Sequence, residues 1–408
     1  MKSVQLAGIV QGSEEIDAVN RVLTEQPYWH VSGKECRLLQ EELAAYHGVK
    51  YCVVVNSGSS ANLLALKSLN LPKGSKVLTS ACGFPSILAC IVQLGLTPVL
   101  VDYNVHTCNI DLDDVEQALI EHSDIKAMIL AHTMGSPLNM ERLCLLEDKY
   151  GVLLIEDACE ALGAKFDGKL VGTFGKAGTV SFYSSHQISG FGGGGAILTD
   201  DEDIYTTAKS LRDWGKREVR EGQICTKMDS EVDGIPYDQQ YTYETIGYNM
   251  RFPDANCAYA REQLKRLDGF VEKRRENYLH MRDALAFENE SLLFMTWPVG
   301  AEPAFFGFPL IVRTPTFRDS LVEHMESKGV HVRLFFAGNI LRHKPYKDLE
   351  YLTIEKNRKI GFPNADYLMV NALFCGCWPG LSLEDMEYSE SVIKEFFTLE
   401  WKKHNENQ

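Results

Sequence analysis

The 408-residue chain lacks any uninterrupted apolar run approaching the ~18 residues of a membrane span. Its first residues, MKSVQLAGIVQGSEEIDAV, lack the apolar core of a secretory leader, so the sequence predicts a cytoplasmic protein without a membrane anchor. It also lacks a basic excess. Lys and Arg number 41 against 56 Asp and Glu, a net charge of −15, which argues against nucleic acid as a partner. A small anionic ligand stays admissible, because local arginines rather than net charge would bind it. No internal repeat or low-complexity stretch is present, which excludes solenoids and disordered linkers. The eleven cysteines are odd in number and scattered through apparent strands and helices, so most read as reduced core residues. What remains is an ordinary globular composition, 45% hydrophobic and 24% charged. Its length exceeds the roughly 250–300 residues at which one core stops growing, which predicts two domains.

Short apolar runs alternate with helical patterns over the first half of the chain. YCVVVN (51–56), KVLTSA (76–81), TPVLVDY (97–103), KAMILAH (126–132) and GVLLIED (151–157) read as buried strands. CRLLQEELAAYHG (36–48) reads as an amphipathic helix capped by Gly48, and SGSSANLLALKSLNL (57–71) as a turn entering a helix. This alternation predicts an α/β fold with a mostly parallel sheet. From Pro253, Leu264, Leu267, Val271, Tyr278 and Leu285 recur at helical spacing, predicting one long helix that links to a smaller α+β C-terminal domain. The expected division is therefore 1–252 and 253–408. FFGFPLIVR (305–313) and VHVRLFF (330–336) read as strands, and LEDMEYSESVIKEFFTL (383–399) as a final helix. The segment Trp214 to Tyr248 is polar and irregular, and reads as a long functional loop.

Three places suggest chemistry. Asn56-Ser57-Gly58-Ser59-Ser60 joins a strand to a helix, where small residues let backbone N–H groups face an anion; a plain serine-capped turn is the alternative. Asp157 ends an apolar strand, where it would either cap the next helix or face a cationic ring nitrogen. Gly190, Gly192 and Gly195 satisfy the dinucleotide fingerprint, but the motif should follow a strand and open a helix. Here it precedes the strand-like AILTDD (196–201), so the match is rejected in favour of backbone freedom beside a ligand.

The run from Leu154 to Asp200, with NSGSSANLLAL, ACGFP, AHTMGSP, YDQQYTYETIGYN, FFGFP and RLFFAGN, resembles the DegT/DnrJ/EryC1/StrS sugar aminotransferases over nearly the whole chain. That resemblance implies the aspartate-aminotransferase fold (fold type I of the pyridoxal-phosphate enzymes). It implies a cofactor phosphate held at Ser57, Gly58, Ser59 and Ser181, Asp157 on the ring nitrogen, and Glu160 among the cofactor ligands. Phe84 would lie over the cofactor ring, with core packing as its alternative. Asn249 would reach the phosphate of a neighbouring subunit, implying a homodimer with shared active sites.

In one respect the chain departs from most of that family: His186 stands where the family places its Schiff-base lysine. The departure resembles the 3-dehydrase branch, which uses pyridoxamine 5′-phosphate. It implies C3 dehydration of a nucleotide-linked 4-keto-6-deoxyhexose, with His186 as a base whose pKa lies near working pH. The branch's CDP-linked members resemble this chain in sequence detail but carry an iron–sulfur cluster on clustered cysteines. After Asp213-Trp214-Gly215 this chain has KREVREGQIC, with Cys225 alone, and Cys375-Gly376-Cys377 lies in an apolar context; four thiolates are normally needed. No cluster is therefore expected. The cluster-free, GDP-type scheme implies glutamate as amino donor and pyridoxal 5′-phosphate as the other cofactor form. Arg251, Arg333 and Arg342 are candidates for the nucleotide phosphates, with surface solvation as their alternative, and His132 for the sugar or ring, with a satisfied strand-end histidine as its equal alternative. A lapsed sugar-binding homologue and a conventional aminotransferase are the competing readings; the latter needs a lysine elsewhere, and Lys176 lies too early.

Overall fold

The computed structural model describes residues 2–25, 30–216, 228, 230–288 and 290–406. Seven strands build the main sheet: β1 Tyr51–Val55, β2 Lys76–Ser80, β3 Thr97–Val101, β4 Ile125–Ala131, β5 Leu153–Asp157, β6 Ala177–Ser181 and β7 Gly195–Thr199. They lie in the order β1-β7-β6-β5-β4-β2-β3, all parallel except β7, which runs antiparallel to both neighbours. Their residues are almost all buried, as expected of a parallel sheet covered on both faces by helices. The carboxyl ends of β1, β5 and β6 and the amino end of antiparallel β7 meet at one edge of the sheet. Open α/β sheets form their ligand crevices there.

A second, antiparallel sheet follows, with Phe308–Val312 and Val332–Leu334 flanking Ala372–Cys375. The chain then crosses between its halves more than once. Leu352–Thr353 adds to β3 as a parallel edge strand, and Val4 pairs with Val330. Ala304 and Phe306 donate their amides to Gly135 and Met134. That contact is close: a Cβ on Gly135, whose φ is +78°, would stand 2.1 Å from the Ala304 carbonyl oxygen.

The linking region forms two helices, Asp254–Leu264 and Leu267–Leu285, rather than the single long helix the periodicity predicts. The break falls at Lys265–Arg266, where Arg266 pairs with buried Glu15 at 2.9 Å. A tertiary ion pair thus overrides a continuous helical pattern. The segment expected to be irregular contains, in its described part, a hairpin of Ser230–Val232 and Ile235–Tyr237. Cys225 lies outside the described residues. The ten described cysteines are free, and Cys375 and Cys377 are core residues.

Candidate active site

A cavity of about 1210 Å³ opens at the carboxyl ends of the strands and runs towards the small sheet. Its lining brings together ten of the residues singled out in the sequence: Ser57, Gly58, Ser59, Phe84, His132, Asp157, Glu160, Ser181, His186 and Arg333.

The serine turn is built for an anion. Ser57 caps the helix Gly58–Ser68, its Oγ accepting from the Ser60 amide at 3.1 Å, so the first amides of the helix keep their donors for a ligand. Gly58 is required by packing: a Cβ there would stand 2.6 Å from Cys159 Sγ and 2.8 Å from Ser181 Cβ. Ser181, at the end of β6, presents its hydroxyl to the same cradle. The glycine run precedes β7 as expected and gives close approach, since a Cβ on Gly195 would lie 2.6 Å from the Gly58 nitrogen.

Asp157 is held from two sides. Asn62 Nδ2 donates to its Oδ2 at 2.7 Å and the Cys159 amide to its Oδ1 at 2.9 Å. Thr179 in turn donates to Asn62 Oδ1 at 2.5 Å, which fixes the amide's orientation. Neighbouring Glu156 faces away from solvent and accepts from the amides of Gly172, Phe174 and Gly175 at 2.6–2.8 Å and from His132 Nε2 at 3.1 Å. These donors outweigh burial and hold its carboxyl below the ordinary value. His132 accepts the Leu138 amide on Nδ1 at 3.1 Å, so both ring nitrogens are spent inside the protein. Expected among the substrate ligands, it has no ring donor or acceptor left to offer.

Glu160 behaves differently. One backbone donor, the Met134 amide at 2.7 Å, does not offset its desolvation and the nearby Asp157 charge, and its carboxyl is pushed up to about 8. At neutral pH it carries a proton in the ligand-free protein. Phe84 is 54% exposed and lines the cavity, so core packing is not its role.

His186 follows Ser181 on a tight turn and packs against Phe306, with ring centroids 5.2 Å apart, and Tyr183 at 6.2 Å. Its Nδ1 is buried without a partner. Burial first, then the charge of Arg274, push the imidazole down to about 3, against a weaker opposing contact with the Cys159 backbone. This corrects the expectation of a pKa near working pH: in the ligand-free protein the ring is neutral throughout the physiological range. Among the described residues no lysine lines the cavity, and Lys176 is exposed at the opposite end of β6.

Three expected ligands lie outside the cavity of this single chain. Arg342 is spent on Asp366 in a two-point ion pair. Arg251 pairs with Asp213 at 2.8 Å and stacks on Trp214 at 4.5 Å. Asn249 is exposed, bridging Asp213 through its backbone. Arg333 lines the mouth, its guanidinium donating to the Val332 carbonyl at 2.8 Å, beside His331 and the N-terminal Gln5, Leu6 and Ala7. Asn62, Thr179, Arg274 and the N-terminal lining were not foreseen. Asn62 left the one readable trace, an amide in the otherwise apolar helix NLLAL.

Comparison with known proteins places this geometry. The chain is 34% identical to the lipopolysaccharide biosynthesis protein RfbH of Salmonella typhimurium, over 96% of this chain and 91% of that one. It is also 34% identical to the dTDP-4-dehydro-2,6-dideoxy-D-glucose 3-dehydratase of Saccharopolyspora spinosa, over 90% and 80%. The solved Escherichia coli GDP-4-keto-6-deoxy-D-mannose-3-dehydratase with bound hydrated PLP superposes with a TM-score of 0.86 at 29% identity, covering 96% of this chain and all of that one. A second structure of an enzyme of that name holds a trapped PLP–glutamate geminal diamine, with a TM-score of 0.84 at 28% identity over 96% and 100% of the two chains. The family profile matches residues 10–394, and the chain belongs to the DegT/DnrJ/EryC1/StrS aminotransferase family.

Proposed function

We propose that the protein is a lyase of deoxysugar biosynthesis, a pyridoxamine-phosphate-dependent 3-dehydratase of a nucleotide-linked 4-keto-6-deoxyhexose. One observation carries the reading: the cavity gathers the residues expected to hold the cofactor, and among the described residues its lining contains His186 and no lysine. The residues present fit the cofactor. Ser57, Gly58 and Ser59 line the cavity at the amino end of a helix, where backbone donors suit a phosphate, Asp157 is fixed for a ring nitrogen, and His186 lines the same wall. When bound, the cofactor supplies an amine for the sugar's C4 ketone and an electron sink for loss of the C3 oxygen.

The protein's part is binding, orientation and proton movement. The amides of Gly58 and Ser59 and the Ser181 hydroxyl bind the phosphate, and Asp157 keeps the ring nitrogen protonated. Glu160, neutral at working pH, donates rather than accepts in the cavity. His186 moves the proton: its neutral imidazole is free to accept at C4′, and it cannot compete as an amine nucleophile. Phe84 covers the cofactor ring from the open side. Arg333 holds a nucleotide phosphate at the mouth.

The second substrate is glutamate, which restores the amine, as the trapped glutamate adduct in the GDP-sugar enzyme supports. The working unit is a homodimer. The described part of the segment after Trp214 carries exposed Ile235, Tyr241 and Tyr243, and Ile246 at 87% exposure, a concentration of apolar surface that water does not favour. Asn249 and Arg251 follow immediately, placed to serve a neighbour's cavity rather than their own. The enzyme works in the cytoplasm, the compartment that its free, mostly buried cysteines suit.

The test incubates the protein with pyridoxamine phosphate and CDP-, GDP- or dTDP-linked 4-keto-6-deoxyhexoses, with and without glutamate. Mass spectrometry is expected to show glutamate-dependent loss of the C3 oxygen, absent in His186→Asn. A covalent lysine adduct after borohydride treatment would instead return the chain to the transaminases.

A further inference from the structure

Behind His186 lies a second, much smaller chamber of about 10 Å³, room for roughly one water molecule. Its lining includes His186, Gln187, Ser189 and Arg274. Each of these four residues has a buried polar side-chain atom without a protein partner: Nδ1, Oε1, Oγ and Nε respectively. Unpartnered buried polar atoms are uncommon, and four around one chamber call for a reason.

Arg274, on the helix Leu267–Leu285, is 1% exposed, and among the described residues no carboxylate pairs with it. It is held by backbone oxygens instead. Nη2 donates to the carbonyls of His186 at 2.7 Å and Ser185 at 3.4 Å, and Nη1 to those of Phe306 at 3.0 Å and Phe305 at 3.2 Å. One planar fork therefore ties the His186 turn to the segment that carries Phe306, the ring packed on His186. Burying a guanidinium without a counter-ion is costly, and apolar residues would fill the same space more favourably. A plain structural role does not require this charge. Proximity to His186 gives it one.

We propose that Arg274 is a positioning residue for His186, fixing its turn from behind and orienting the imidazole across the small chamber. The inference rests on His186 as the proton-moving group. The chemistry of the chamber is complementary to a single water, which would accept from Arg274 Nε–H and a His186 Nδ1–H and donate to Gln187 Oε1 and Ser189 Oγ. With Nδ1 protonated towards that water, Nε2 is the unprotonated nitrogen and the base. The positive charge also opposes imidazolium formation, in the same direction as burial. The other ionisable groups about the ring are Tyr183 on its own turn, Cys159 and Glu160 after β5, and Cys377, which contacts Arg274 from just beyond the strand Ala372–Cys375.

The experiment compares wild type with Arg274→Lys and Arg274→Met, using ¹⁵N-histidine spectra of the cofactor-free protein. The His186 signal is assigned by its loss in His186→Asn. In wild type it should remain a single neutral tautomer, Nδ1-protonated, between about pH 5 and 8. In Arg274→Met it should become a tautomer mixture, and kcat should fall about 100-fold with KM nearly unchanged. Arg274→Lys, which keeps the charge but not the fork, should stay neutral and lose the single tautomer. An unchanged His186 signal in a folded Arg274→Met, or in Arg274→Lys should the former not fold, overturns the proposal. Because this readout needs neither cofactor nor sugar, it separates failure here from failure of the dehydratase reading.

Discussion

Two histidines stand at the strand-end crevice, and their surroundings are opposite. His132 ends β4 with both ring nitrogens bonded, one to buried Glu156 and one to a backbone amide. His186 sits on the turn after β6 with Nδ1 unpartnered and a cation, not a carboxylate, behind it. The first is a strut and the second is kept available. An orphaned nitrogen does not suffice by itself, since His47 Nε2 also lacks a partner and does not line this cavity. The combination of an orphaned atom, a cavity and a cradle for a ligand distinguishes the reactive group from the structural one.

The comparison breaks most sharply if His186→Asn retains turnover. Loss of general-base catalysis should lower kcat by about 10²–10⁴-fold, while cofactor binding, followed by absorbance, and the melting temperature stay close to wild type. The converse substitution, His132→Phe, should cost about 3–5 kcal/mol of stability in denaturant titrations, because it leaves a buried carboxylate short of its side-chain partner. If His132→Phe were as stable as wild type and lost only activity, the two histidines would have to exchange roles. Arg333→Ala sharpens the substrate end of the cavity: KM for the nucleotide sugar should rise roughly 10-fold with kcat held, equivalent to about 1.4 kcal/mol.

The last prediction concerns Glu160. Its folded pKa is raised, so the protonated carboxyl stabilises the fold fully below the ordinary value of 4.5 and that contribution is lost as pH rises towards about 8. Glu160→Gln keeps the acceptor for Met134 and removes the ionisation. Its stability relative to wild type should therefore rise progressively between pH 5 and 8 in melts of the cofactor-free proteins. A flat difference across that interval would mean that the carboxyl finds a partner not seen in the ligand-free cavity.

Much of this site was legible because it is local in sequence. The serine turn, Asp157 and Ser181 are each fixed by a strand end, and the strands announce themselves as apolar runs. The lysine's absence could be read because the framework around His186 is so nearly that of the family. What could not be read depends on contacts across long stretches of chain. The break at Lys265–Arg266 answers to Glu15, some 250 residues away, and the spending of Arg342 answers to Asp366. Arg274 is one of several basic residues on an amphipathic helix, and no pattern marks it as the one facing inward. The hairpin at Ser230–Tyr237 was hidden by polar composition, because its apolar residues point outward, where no single-chain core would place them.

The pairing of Val4 with Val330 has a consequence for how the molecule is made. On the ribosome the first strand segment emerges more than three hundred residues before its partner, a wait of roughly 16 to 65 seconds at ordinary rates of synthesis. Through that interval the serine turn and the Asp157 shelf can assemble, yet Gln5, Leu6 and Ala7 have nothing to hold them at the mouth. A nascent chain thus owns the floor of its cavity well before it owns the rim. Cofactor captured early would sit in an open dish, and the wall that Gln5–Ala7 and Arg333 form together closes only after residue 333 has been translated.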